Sequence, residues 1–121
     1  MKTKKVLIVD DDVDFVRLIG RKIAEAGFEV LTAFDAFQAT RQAHKKDPDL
    51  IVLDIKLPAG GGLGVLKNLK TSLKTNHIPV IAVTAYNDPE IKKDVLEYNV
   101  EEFMTKPFAP EKLVEKLWKY I

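Results

Sequence analysis

The sequence predicts an α/β domain: a five-stranded parallel sheet with helices on both faces, built from five alternating βα units. Three observations carry this. Val6-Leu7-Ile8-Val9, Leu50-Ile51-Val52-Leu53 and Val80-Ile81-Ala82-Val83 are short apolar runs rich in branched side chains, the pattern of strands buried on both faces. The stretches between them carry apolar residues at helical spacing, and such alternation implies parallel strands joined by right-handed crossovers. Finally, these runs end at Asp10, Asp54 and Thr84. In a parallel sheet those ends share one edge, where ligands bind.

The elements follow in order. Val6–Val9 leads through Asp10-Asp11-Asp12 into a helix to about Gly27, with Val16, Ile19, Gly20 and Ile23 at helical spacing and Gly27 as the stop. Phe28 to Ala33 reads as a short strand, and Ala36 to Lys46 as a helix that Asp47-Pro48-Asp49 breaks. The strand before Asp54 comes next. Pro58 to Gly62 reads as a loop, followed by a helix from Leu63 to about Leu73. Ile78-Pro79 introduces the fourth strand. Asp88-Pro89 has the form of an N-cap with proline at the first helical position, opening a helix to about Tyr98. Glu101 to Thr105 is the last strand, and Lys106-Pro107-Phe108 turns into a final helix with Pro110 in its first turn and Ala109 as a poor cap.

Composition narrows the function. A chain of 121 residues is one domain, 1–121, long enough to bury a core. The formal net charge of +1 offers no bulk attraction to nucleic acid or an anionic membrane, so neither is expected as a direct partner. The absence of cysteine excludes disulfides, thiolate catalysis and sulfur-rich metal sites. No secretory signal or spanning apolar run is present, so a cytoplasmic location is expected.

The strand ends carry the chemistry. Asp10 and Asp11, Asp54, Thr84 and Lys106 should converge although far apart in sequence. Two carboxylates about 4 Å apart repel by roughly 4 kcal/mol at an effective dielectric of 20, so the cluster calls for a hard cation. Mg²⁺ suits it, because it takes one or two protein carboxylates and completes its shell with water and phosphate oxygens. With neither His44 nor His77 near the edge, Zn²⁺ and Cu²⁺ are not expected. Asp54 then becomes a carboxylate nucleophile for a phosphoryl group, with Thr84 and Lys106 donating to its oxygens. The blander readings account for less. An N-cap role explains one aspartate, Asp12, but leaves the pair Asp10 and Asp11. Asp54 is not needed to form a turn that Pro58 and the glycines already supply. Thr84 and Lys106, taken singly, would be an ordinary strand end and a solvated lysine. His44 and His77 read as surface residues, and Phe37 and Trp118 as either packing or exposed contacts.

These motifs, Val6-Leu7-Ile8-Val9-Asp10-Asp11-Asp12, Pro48 to Asp54 with Leu57-Pro58, Val83-Thr84-Ala85 and Phe103-Met104-Thr105-Lys106-Pro107-Phe108, resemble the receiver domain of two-component response regulators, of the chemotaxis-regulator type. The resemblance covers essentially the whole chain. It implies the flavodoxin-like strand order 2-1-3-4-5. It implies that Asp54 accepts phosphate from a histidine kinase or phosphotransfer protein. It further implies a Mg²⁺ site (Mn²⁺ being an acceptable substitute) made by Asp10, Asp11, Asp54 and the backbone carbonyl of Lys56, with Asp11 the more direct ligand of the acidic pair. Thr84 and Phe103 would be the switch pair, Lys106 would contact the phosphate, and Lys106-Pro107 would be a cis peptide. The output surface would be the face of the fourth helix, last strand and last helix, with Ile91, Lys92, Val95, Tyr98, Glu102 and Trp118 as candidates. A downstream effector or covalently linked output domain would read it, and a phosphorylation-dependent homodimer is left open.

Departures are also visible. Ala59-Gly60-Gly61-Gly62 replaces the usual bulky and acidic residues before the loop glycine, predicting a more mobile segment. Phe103 stands where tyrosine is commoner. Lys56 and Tyr86 occupy positions that tune phosphate lifetime in the family. No enzyme acting on external substrates is expected: an aspartate-nucleophile phosphatase would carry a second Asp where Lys56 stands, and there is no cap-sized insertion. A flavin protein of the same fold would need a hydroxyl-rich loop in place of Asp10-Asp11-Asp12. A non-phosphorylated scaffold is the remaining alternative, opposed by the complete residue set. The chain could be a free-standing regulator or one module of a larger regulator or hybrid kinase.

Overall fold

Alternating side chains on each strand must satisfy two different helix layers, and the sequence provides for both. In the computed structural model, which describes residues 2–58, 61–85 and 89–121, the elements are β1 (Lys5–Val9), α1 (Val13–Glu25), β2 (Glu29–Ala33), α2 (Ala36–Lys46), β3 (Leu50–Asp54), α3 (Gly61–Thr71), β4 (Val80–Thr84), α4 (Pro89–Leu96), β5 (Glu102–Thr105) and α5 (Pro110–Tyr120). All pairings are parallel, in the order β2-β1-β3-β4-β5. Leu7 and Val9, Ile51 and Leu53, and Val80 and Ala82 pack with Ala39 and Ala43 of α2, Leu66 and Leu69 of α3, and Val95 of α4. The intervening residues Val6, Ile8, Leu50, Val52, Ile81 and Val83 pack with Val16, Ile19 and Ile23 of α1 and Leu113 and Leu117 of α5. This is the period-two alternation of strands buried on both sides.

The helix ends follow local chemistry. Asp12 caps α1 by accepting from the Phe15 amide at 3.1 Å, as read from the sequence, and Asp35 caps α2 through the Gln38 amide at 2.7 Å. Gly27 takes φ +105°, the conformation its place after α1 requires. Asp47 ends α2 in the left-handed region. Pro110 opens α5 with no side-chain cap on Ala109, and Lys106-Pro107 is cis. The expected Asp88 cap and Tyr86 lie outside the described residues, as do Ala59 and Gly60.

Several expected boundaries shift. α1 stops at Glu25, two residues before Gly27, and β2 starts at Glu29 rather than Phe28. α3 starts at Gly61 and ends at Thr71, not Leu63 to Leu73, while α4 ends at Leu96, followed by a turn in which Asn99 has φ 57°. The glycine segment is the most informative correction. Gly61 and Gly62 are not loop but the first turn of α3. A Cβ on Gly62 would collide with the carbonyl oxygens of Ile55 and Asp54. Close packing of a helix against backbone, rather than freedom, is what requires glycine there.

Candidate functional site

The sheet register sets the site. β1 and β3 are adjacent, with Val9 opposite Leu53, so Asp10 and Asp54 leave the sheet side by side. Asp54 is opposite Val83 on β4, and Thr84 opposite Thr105 on β5. Lys106 is tied to β4 by its backbone N–H, which donates to the Thr84 carbonyl at 2.8 Å. Carboxylate oxygens of Asp10, Asp11 and Asp54 all lie within 4.8 Å of one another. Asp10 is buried, Asp54 is 6% exposed, and Asp11 faces solvent.

Burying two carboxylates is costly unless each is paired or hydrogen-bonded. Asp10 Oδ2 accepts from the Lys106 ammonium at 2.6 Å and Oδ1 from the Asp12 amide at 2.9 Å. Asp54 Oδ1 accepts from the Lys56 amide at 3.0 Å. Among the described residues no buried side-chain N or O atom lacks a partner. Burial, reinforced by the charges of Asp10 and Asp11 and opposed by the Lys56 amide and Lys106, pushes the Asp54 carboxyl up to about 6. Such a group gains from an added cation, and an all-oxygen donor set of carboxylates fits a hard divalent ion such as Mg²⁺. Asp10, Asp11 and Asp54 are the residues that would hold it.

Thr84, fully buried, continues on β4 the row of Val80 and Ala82. Phe103 lies on β5 opposite Ala82, half-buried against the same core layer as α4. The two are therefore diagonal neighbours on one face of the sheet. Of the expected output-surface residues, Lys92 and Trp118 are exposed and Ile91, Tyr98 and Glu102 half-buried, but Val95 is wholly buried. Val95 is core, because it is the α4 residue that seats the helix on the sheet. The Trp118 ring packs against Phe28 with ring centroids 4.6 Å apart and planes tilted by 42°, on the side of α5 facing the α1–β2 turn. His44, expected at the surface, is half-buried and lies 3.4 Å from Asn68 Oδ1 between α2 and α3. His77 and Phe37 are exposed.

Two residues at the site had no clear sequence signal. Gly62 underlies the backbone just after Asp54. Phe15 presents its ring to Lys106, whose ammonium lies 4.0 Å from the ring centroid.

The response regulator receiver domain family model matches residues 6–118. The chain belongs to the response regulator receiver family. Its curated relatives include the phosphate regulon transcriptional regulatory protein PhoB of Escherichia coli, 33% identical over 114 residues that cover 94% of this chain and 50% of that protein. They also include the alkaline phosphatase synthesis transcriptional regulatory protein PhoP of Bacillus subtilis, 36% identical over 110 residues, covering 91% and 45%. This receiver thus spans about half the length of the curated relatives it matches. Among solved structures, the chemotaxis protein CheY4 of Vibrio cholerae superposes with a TM-score of 0.91 at 28% identity, covering 99% of this chain and 100% of that one. A receiver domain protein of Methanospirillum hungatei gives 0.91 at 27% identity, covering 98% and 93%. The expected membership, strand order and place in two-component signalling therefore stand. No helix among the described residues is long and apolar enough to cross a membrane.

Proposed function

We propose that this receiver accepts a phosphoryl group on Asp54 from a phosphohistidine of a kinase or phosphotransfer protein, and that the modified state is read on the α4–β5–α5 face. The observation that carries the reading is the placement of Asp54. It is a nearly buried carboxylate, its pKa raised to about 6, flanked by Asp10, Asp11 and Lys106 at the carboxyl edge of the sheet.

In the reaction an Asp54 oxygen forms a bond to phosphorus as the donor's P–N bond breaks, the electron pair leaving with the imidazole. Asp10, Asp11, Asp54 and the Lys56 carbonyl would hold Mg²⁺, which when bound would supply charge neutralisation between carboxylate and phosphoryl oxygens. Lys106 holds a positive charge against Asp10 at 2.6 Å, within reach of an arriving phosphoryl oxygen. The Thr84 hydroxyl donates to another. As Thr84 turns toward the phosphate it leaves space on the face it shares with Phe103, which swings inward and alters the seat of α4. A phosphoryl group adds about −1.5 to −2 charges, and a few kcal/mol of preference between two arrangements shifts the population substantially. External substrates are not part of this scheme; the protein acts on its own carboxylate.

The test is direct. Incubation with a small-molecule phosphodonor and Mg²⁺ should add the mass of one phosphoryl group, lost in Asp54→Asn and on chelation of the metal. No gain at saturating donor would leave the scaffold reading in its place.

A further inference from the structure

We propose that Phe15 is a positioning residue for Lys106, its ring acting as an uncharged platform that holds the ammonium at the phosphoryl-accepting edge. The inference rests on the reading of Asp54 as phosphoacceptor. Lysine has four rotatable bonds and a compact, strongly hydrated charge, so a lysine that must meet a phosphate at a fixed point has to be confined. In this receiver it is confined at both ends. The backbone N–H of Lys106 donates to the Thr84 carbonyl at 2.8 Å. Its Nζ sits 2.6 Å from Asp10 Oδ2 and 4.0 Å from the centroid of the Phe15 ring. The ring is itself braced, meeting the Phe108 ring edge-on with centroids 6.0 Å apart and planes at 89°. Phe108 packs against the core shared with α1 and α5, as does Phe15.

Charge decides why a ring suits this place. Asp10, Asp11 and Asp54 already crowd the edge. A further carboxylate would fix Lys106 equally well but would repel an incoming phosphoryl group. An aromatic face attracts the cation through its quadrupole and adds no formal charge. An ammonium has three N–H donors, so contact with Asp10 and with the ring leaves donor capacity for a phosphoryl oxygen. The ring also covers one side of the Asp10–Lys106 pair, and only 19% of the Lys106 side chain is exposed. Exclusion of water on that side strengthens the field that Lys106 offers the phosphate.

Two readouts test this on the intact chain. By NMR, the Lys106 ε-methylene protons should be shifted upfield by the ring, with the shift lost in Phe15→Leu and kept in Phe15→Tyr; this needs no phosphorylation. Phosphoryl uptake at Asp54 from a small phosphodonor with Mg²⁺ should slow about threefold to tenfold in Phe15→Leu and stay near wild type in Phe15→Tyr. In a Lys106→Ala background, Phe15→Leu should cost nothing further. An unmoved Lys106 signal in Phe15→Leu, equal rates for the leucine and tyrosine variants, or an undiminished loss in the Lys106→Ala background would each overturn the proposal. Absence of uptake in the wild type would instead overturn the reading of Asp54, while the NMR shift still judges the platform itself.

Discussion

The α1–α5 side of the sheet and α4 on the opposite side differ in how firmly they are held. α1 buries Val16, Ile19 and Ile23 over 13 residues, and α5 buries Leu113 and Leu117 over 11. α4 has eight residues and, of those described, buries Val95 alone, with Ile91 half-buried. The Asp10–Lys106 pair and the Phe15–Phe108 contact belong to the firm side, whereas Thr84 and Phe103 face the α4 side. The proposed phosphoryl transfer calls for fixed groups where bonds change and a less deeply seated element where the signal would leave. Strand alternation keeps the two sets of side chains on opposite faces of the sheet.

The largest expected effect tests this asymmetry. Leu117→Ala, in the α1–α5 core, should lose about 3 kcal/mol of unfolding free energy, and Ile91→Ala about 1 kcal/mol or less, both read from denaturant midpoints. Equal losses would remove the asymmetry.

Asp54→Asn should stabilise the metal-free protein at pH 7.5 by up to about 3 kcal/mol. The sign follows from burial. The folded-state carboxyl is raised from 3.8 to about 6, so the folded protein binds the proton more tightly than the unfolded chain. The contribution is fully present below 3.8 and lost as pH rises through about 6. The gap between wild type and Asp54→Asn should therefore close as pH falls across that window. Added Mg²⁺ should raise the melting temperature of the wild type more than that of the variant.

Gly62→Ala should cost about 1–3 kcal/mol, because the new methyl meets the Asp54 and Ile55 carbonyls and α3 must back away. Thermal unfolding measures this, and Gly64→Ala, with nothing within 4 Å of its Cβ, is the control.

The smallest effect concerns Glu102. Partial burial works to raise its pKa, but the Tyr120 hydroxyl at 3.1 Å and Lys116 at 3.3 Å outweigh it and hold the carboxyl below 4.5. A depressed folded-state pKa gives stability present above the unfolded value and lost as pH falls through the folded one. Glu102→Gln should cost no more than about 0.5 kcal/mol at neutral pH, since its partners Lys116 and Lys119 keep access to solvent. A larger loss in chemical denaturation would mean that the β5–α5 tie is stronger than exposure allows.

Much of this was legible beforehand. Local chemistry wrote the strands in branched apolar runs, the cap at Asp12, the start of the last helix at Pro110, and the stop at Gly27. Because parallel strands must end on one edge, the sequence alone could also gather Asp10, Asp11, Asp54, Thr84 and Lys106. Three things it could not decide. Gly61 and Gly62 read as a loose loop, since nothing local reveals that α3 will press on the backbone after Asp54. Val95 read as an output residue, since one apolar position in a short helix does not say which way it faces. Phe15 carried no mark at all, because its partner Lys106 is 91 positions away and only the packing of α1 beside the end of β5 brings ring and ammonium together. Sequence determines what is set by neighbours along the chain or by the common direction of strands. Contacts set by how closely two distant surfaces approach are decided only when the chain has folded.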